Sequence, residues 1–293
     1  MAYRQLAFDG GTIEFIVDGP DDAPDLLLFH LGTPCAAVPF DGLTRAAAAA
    51  GMRTAIYSRP GYGNSTRREG RLIADEAATS AALADHLGYD RFSTAGWSGG
   101  GPVALACAAL LPDRVRACLT IGSIAPWHDA GDMSIFGFRP EDLREWESLG
   151  SDDPSGLIPD FEAAAAKRDD RTAEALASNG RSNDADRRVI LGPGGLGEAI
   201  AGSMRRAYLT GWVGHYDDNL AEARPWGFRV ADIRVPVVVR HGDDDGWVNI
   251  EHGRWLARTI PGARAVFPPG AGHMSILVPF EEVVPQLVEA ATT

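Results

Sequence analysis

The chain has 293 residues, enough for one large α/β domain with an insertion or for two ordinary domains. With 45% hydrophobic and 23% charged residues it has the composition of a globular protein, and at this length it can bury a large core without covalent staples. A formal net charge of -13 argues against nucleic acid and against an anionic membrane surface as partners.

The N-terminal residues Met1 to Leu6 carry no long apolar run, so no secretory signal is expected. Leu6 to Phe8 and Thr12 to Val17, split by Asp9-Gly10-Gly11, read as an opening hairpin. Leu26 to His30 is a buried strand that runs into Gly32-Thr33-Pro34, and Ala46 to Ala50 belongs to a helix. Arg53 to Tyr57 is the next strand, ended by Pro60-Gly61-Tyr62-Gly63. Ala74 to Leu87 reads as a helix stopped by Gly88. Arg91 to Ala95 is a strand leading into Gly96, followed by a helix over Pro102 to Leu111 and a strand over Val115 to Ile121.

Between Pro126 and Pro225 the strand pattern disappears, leaving Ala-rich and charge-rich helical segments broken by Asp153-Pro154 and Gly192-Pro193-Gly194-Gly195. Two strands return at Val235 to Arg240 and Ala263 to Phe267, each followed by a helix, at Ile250 to Thr259 and Phe280 to Ala291. Short apolar runs alternating with helices predict a mostly parallel, eight-stranded sheet flanked by helices. Residues 1–125 and 226–293 are expected to form the core domain, with residues 126–225 as a helical cap, or lid, over the site.

Cys35, Cys107 and Cys118 are too few and too widely spaced for a disulfide framework or a Cys-x-x-Cys metal site. No segment approaches about 18 uninterrupted apolar residues, so no membrane span is expected and a reducing cytoplasm is the default location. Lys167 is the only lysine, and nothing near it in sequence would lower its pKa for Schiff-base chemistry. Gly192 to Gly197 fits Gly-x-Gly-x-x-Gly, but no strand leads into it and its second residue is proline, so it reads as a loop and no cofactor is expected. Asp243-Asp244-Asp245 lacks convergent His or Glu at ligand spacing, so no metal is expected.

Gly96-Trp97-Ser98-Gly99-Gly100 is the pattern that carries chemistry. In Gly-x-Ser-x-Gly the serine sits on a sharp strand-to-helix turn, and small neighbours tolerate the close contacts. The turn exposes the hydroxyl and places the following amide, that of Gly99, where an oxyanion would develop. Such a serine needs a base, and the base needs an orienting carboxylate. His273, in Gly270-Ala271-Gly272-His273, follows the last strand, and Asp245 follows the strand before it. Both loops are expected at the C-terminal edge of the sheet, the edge on which Ser98 emerges.

These segments, with Phe29-His30-Leu31-Gly32-Thr33-Pro34 and Ser58-Arg59-Pro60-Gly61-Tyr62-Gly63-Asn64-Ser65, resemble the α/β-hydrolase fold superfamily over nearly the whole chain. The likeness is greatest to cofactor-free, capped serine hydrolases of the esterase and proline iminopeptidase type. Their acid falls in Gly-x-x-Asp-x-x-Val, which here selects Asp245 over Asp243 and Asp244. Their first oxyanion donor follows a His-Gly pair. This chain departs from that pattern, with Leu31-Gly32 at the position and the histidine one residue earlier, at His30; by position the donor is the amide of Thr33.

The resemblance implies catalysis by Ser98, Asp245 and His273, an oxyanion hole of Thr33 and Gly99, and a small-molecule ester or related acyl compound as substrate. Aminopeptidase, lactonase, C–C hydrolase or perhydrolase chemistry on the same residues stays open. So does a non-catalytic ligand-binding protein on the same scaffold, and so does the choice between monomer and homodimer. An acidic pocket for a substrate amine, supplied by Glu141, Glu145 or Glu147, would favour the peptidase. His30 and His241, at strand ends, and His128 and His215, in or beside the cap, are expected to pack rather than catalyse.

Overall fold

After three opening strands, helix and strand alternate as far as residue 121 of the computed structural model, which describes residues 2–130 and 133–292, with the side chains of all of these except 133, 134 and 141. The elements are β1 (Arg4–Phe8), β2 (Gly11–Asp18), β3 (Asp25–His30), α1 (Asp41–Ala49), β4 (Met52–Tyr57), α2 (Asp75–His86), β5 (Phe92–Trp97), α3 (Gly101–Leu110) and β6 (Val115–Ile121). Helices then run without an intervening strand among the described residues: α4 (Trp127–Ala130), α5 (Pro140–Leu149), α6 (Ile158–Ala166), α7 (Ala173–Ser178), α8 (Asp184–Ile190), α9 (Leu196–Ala207) and α10 (Val213–Ala223). The chain returns to the sheet with β7 (Val237–Arg240), α11 (Ile250–Thr259), β8 (Arg264–Val266) and α12 (Phe280–Thr292).

The eight strands form one sheet in the order β1-β2-β4-β3-β5-β6-β7-β8. β1 pairs with β2, and β2 with β4, antiparallel; every later pairing is parallel. The mostly parallel eight-stranded sheet expected from the sequence is therefore present. Several boundaries shift, two of them for plain reasons. β7 begins at Val237 rather than Val235, because Pro236 has no amide to give to a ladder. α1 begins at Asp41, five residues before the alanine run that signals it, because Leu43 as well as Ala46 and Ala47 packs inward.

Alternation along the strands divides the core between the two faces of the sheet. Leu27 and Phe29 of β3 pack with Leu43 and Ala47 of α1 and with Val283 and Leu287 of α12. Leu26 and Leu28 point the other way, toward Leu83 of α2, Leu105 of α3 and Leu256 of α11. The three cysteines are buried and unpaired. No helix of the described residues is long and apolar enough to cross a membrane.

Register places the functional loops. His30 lies opposite Gly96, Trp97 opposite Ile121, Ile121 opposite Arg240, and Arg240 opposite Val266. The parallel strands thus end nearly in line, and the segments beginning at Leu31, Ser98, Gly122, His241 and Phe267 leave one edge together.

Candidate active site

Ser98 has a φ of +55°, a left-handed backbone that is costly for a residue with a β-carbon. The turn is held by close packing on both sides. A β-carbon on Gly96 would overlap the carbonyl of Gly100, and one on Gly100 would overlap the carbonyl of His30. The tight turn inferred from Gly-x-Ser-x-Gly is present, and β5 and α3 flank it.

His273 and Asp245 meet beside this turn. His273 Nδ1 lies 2.7 Å from Asp245 Oδ2, with both side chains buried. The other carboxylate oxygen accepts the amides of Trp247, at 2.8 Å, and Val248, at 2.9 Å. Burial works against a charge on Asp245, but His273, then His241 and the Val248 amide, overcome it and hold the carboxyl below its usual value. Asp245 therefore stays ionised and accepts the Nδ1–H of His273. A β-carbon on Gly122, which also has a positive φ, would stand 3.2 Å from His273 Nδ1 and 3.3 Å from Asp245 Oδ2. Among the described residues no hydrogen bond joins Ser98 Oγ to His273, a contact that unliganded sites of this kind often hold long.

The neighbouring carboxylates have other tasks. Asp243 accepts the Gly270 amide at 2.6 Å, and Asp244 accepts from Asn183 Nδ2 at 2.8 Å. Among the described residues no cluster of His, Cys, Asp or Glu could hold a metal ion.

The loop after β3 passes directly against the serine, since a β-carbon on Gly32 would lie 3.0 Å from Ser98 Cβ. Where the sequence departs at Leu31-Gly32, a buried arginine holds the loop. Arg59 donates to the carbonyls of Leu31 and Gly32 and, at 3.1 Å, to Thr33 Oγ1. Its counter-ion is Asp218 of α10, which also pairs with Arg71. Burial opposes the charge on Asp218, but the two guanidiniums hold its carboxyl well below the usual range. Thr33 Oγ1 contacts Asp218 Oδ2 at 3.1 Å and Glu222 Oε1 at 2.5 Å.

α8 pins the other two loops. Asp186 accepts the backbone amides of His273, Met274 and Ser275 at 3.1, 2.9 and 2.8 Å. Asn183, the N-cap of α8, donates to Asp244. The carbonyl of His273 accepts from Trp97 Nε1 at 3.0 Å, and the indole of Trp247 lies at 29° to the imidazole, with ring centroids 6.3 Å apart. No pattern in the sequence marks Asp186, Asp218 or Glu222, whose partners lie 87, 159 and 189 residues away. Arg59 lies inside a motif that the resemblance supplied, but its partner could not be read there.

A cavity of about 1040 Å³ opens over Ser98, with Thr33, Gly99, Asp245 and His273 in its wall. The helices between β6 and β7 complete it, through Phe138 and Trp146, Glu145, Lys167 and Arg171, and Asn219 and Glu222. Of the other histidines singled out from the sequence, three make packing contacts and one reaches the cavity. His30 bonds Thr94 at 3.0 Å, and burial with the nearby Arg59 pushes its pKa down to about 3. His241 bonds the carbonyl of Val248, and His128 that of Ala223. His215 lines the cavity while bonded to the Tyr208 hydroxyl.

Residues 25–280 match the family model of the alpha/beta hydrolase fold. A pimeloyl-[acyl-carrier protein] methyl ester esterase of Aromatoleum aromaticum is 30% identical over 258 residues, covering 87% of this chain and 92% of the relative. A bifunctional esterase/perhydrolase of Acinetobacter calcoaceticus is 25% identical over 277 residues, covering 90% of each. Among solved structures, an enol-lactonase of Burkholderia xenovorans superposes with a TM-score of 0.68 at 20% identity, covering 99% of this chain and 100% of its own. With the family model spanning most of its length, the chain belongs to the α/β-hydrolase fold family.

Proposed function

We propose that this protein is a cofactor-independent serine hydrolase that cleaves a small-molecule ester or related acyl compound through an acyl-enzyme. The observation that carries the reading is the ionised Asp245 bonded to His273 beside a serine in left-handed backbone, all three in the wall of one cavity. His273 Nε2 takes the Ser98 proton as Oγ attacks the carbonyl carbon. The amides of Thr33 and Gly99 receive the developing oxyanion. The leaving group departs with the proton from His273, and water repeats the sequence on the acyl-enzyme. The helices between β6 and β7 act as the cap of residues 126–225 over the core of 1–125 and 226–293. The three unpaired cysteines suit a reducing compartment.

The expected acidic pocket for a substrate amine has a mixed answer. Glu145 lines the cavity, and Glu147 is not among its lining residues. The side chain of Glu141 lies outside the described residues. Arg139, Lys167, Arg171 and Arg181 stand in the same wall, so it carries both signs and favours no cationic substrate. The named activities of the relatives, esterase above all, favour an ester.

The test is a Ser98→Ala variant with a panel of neutral esters, lactones and aminoacyl amides, alongside labelling by a fluorophosphonate. Loss of about a thousandfold or more in hydrolysis, and of labelling, is expected. Wild-type protein that neither labels at Ser98 nor turns over any member of the panel would overturn the proposal in favour of a binding protein.

A further inference from the structure

Thr33 Oγ1 has one proton and three close polar neighbours. Arg59 can only donate to it, so that contact uses a lone pair. The other two neighbours are carboxyl groups, Asp218 at 3.1 Å and Glu222 at 2.5 Å. One hydroxyl proton serves one of them, so the second contact is a hydrogen bond only if that carboxyl brings its own proton.

Charge decides which carboxyl carries it. Two guanidiniums, Arg59 and Arg71, face three buried acids, Asp218, Glu76 and Glu222. Asp218 pairs with both cations, and Glu76 lies 3.5 Å from Arg71 while accepting from Tyr57 at 2.8 Å. No ion pair of the described residues reaches Glu222. Two positive charges balance two negative ones, and a third carboxylate without a cation would be a buried, unpaired charge.

We propose that Glu222 is a neutral carboxylic acid that donates to Thr33 at the oxyanion side of the site, and that its ionisation shuts that side down. Its place gives the proton a consequence. A β-carbon on Gly99 would overlap both Glu222 Oε1 and Thr33 Oγ1, so the carboxyl lies against the two residues whose amides receive the oxyanion. A negative charge there opposes the charge that the reaction must develop, in a wall where water screens little. Burial first, and the neighbouring Asp218 charge second, raise the Glu222 pKa to about 7.

Three other groups facing this corner are held away from that range, and a fourth, the Glu76 carboxyl, is raised by burial against the pull of Arg71 and the Tyr57 hydroxyl and is common to both proteins compared below. Asp218 is held ionised by Arg59 and Arg71, burial pushes His215 down to about 3, and burial pushes Tyr62 well above its usual value. His273, across the serine, is common to the two proteins compared below.

The proposal rests on the hydrolase reading, and the experiment separates the two. The first arm measures kcat/KM for phenyl acetate at pH 6.5 and 8.5, in wild type and in Glu222→Gln, whose side-chain amide can donate to Thr33 without titrating. With a titration near 7 the neutral fraction falls about 25-fold between these pH values. The ratio of the pH 8.5 rate to the pH 6.5 rate should therefore be at least about tenfold larger in Glu222→Gln than in wild type. Dividing one protein by the other cancels the His273 contribution. Ratios that agree within about twofold overturn the proposal.

The second arm needs no turnover. A carboxyl whose folded pKa exceeds its unfolded one costs stability progressively as pH rises from the unfolded to the folded value. The Tm of wild type relative to Glu222→Gln should accordingly fall from pH 5 to pH 7.5 and then level off. A constant difference overturns the proton assignment. If neither protein hydrolyses any ester while the Tm difference follows this course, the hydrolase reading fails and the proton on Glu222 stands.

Discussion

Asp186 offers the sharpest test of how the helical insertion supports the site. Its carboxylate is fully buried and accepts three consecutive amides of the His273 loop. In Asp186→Asn the side-chain oxygen can still serve Met274 and Ser275, but without charge. The NH₂ replaces the oxygen that faces the His273 amide, setting donor against donor. A hydrogen bond to a charged group is worth about 1.5–3 kcal/mol, and an unsatisfied buried donor costs about 1–3 kcal/mol. A loss of roughly 3 kcal/mol is therefore expected, with the remaining bonds weakened but kept.

For a chain of 293 residues the unfolding entropy is about 0.6 kcal/mol/K, so this corresponds to a fall in Tm of about 5 °C. Because the strained contact is the backbone of His273 itself, kcat should fall about tenfold or more while KM changes little. The assay is thermal unfolding together with hydrolysis of phenyl acetate, normalised to the fraction of sites labelled by a fluorophosphonate. A variant that melts within about 1 °C of wild type and turns over at the wild-type rate would refute the clamp.

Asp245→Asn leaves the fold in place but takes the charge from behind His273; kcat should fall about 10²- to 10⁴-fold, read in steady-state kinetics. Arg59→Met strands the buried Asp218 charge and frees the Leu31 and Gly32 carbonyls, so urea unfolding should report a loss of about 3–5 kcal/mol. The Asp218 pairing also predicts an acid transition. Its carboxyl is held below its unfolded value, so the stabilisation is complete above the usual carboxylate range and is lost as pH falls through and below it, a course that unfolding curves between pH 6 and 2 would follow. Gly99→Ala forces a methyl group into Glu222 and Thr33; activity should fall at least about tenfold, with a stability loss of about 1–3 kcal/mol in thermal melts.

The residues expected to react were legible because the chemistry is written locally. A serine in left-handed backbone needs glycines beside it, so Gly96-Trp97-Ser98-Gly99-Gly100 announces the turn in five consecutive letters. Apolar runs of strand length, alternating with helices, announce the parallel sheet. A parallel sheet in turn sends the loops that follow its strands to one edge, which is why His273 and Asp245 could be paired before any distance was known. The supports of those residues have no local signature. Asp186, Asp218 and Glu222 are three acids among many in an acidic insertion, and each becomes distinctive only through a partner far along the chain.

The sequence by itself therefore determined the sheet and the turn at Ser98, because backbone strain and strand patterning constrain nearest neighbours; the family resemblance singled out Asp245 from its two acidic neighbours as the partner of His273. Tertiary structure alone decided what braces the loop at Leu31-Gly32, by bringing Arg59 and its partner Asp218 against the two carbonyls. Burial and charge pairing are properties of the assembled neighbourhood, so the proton on Glu222 could be argued only after two guanidiniums and three carboxyls had been brought together.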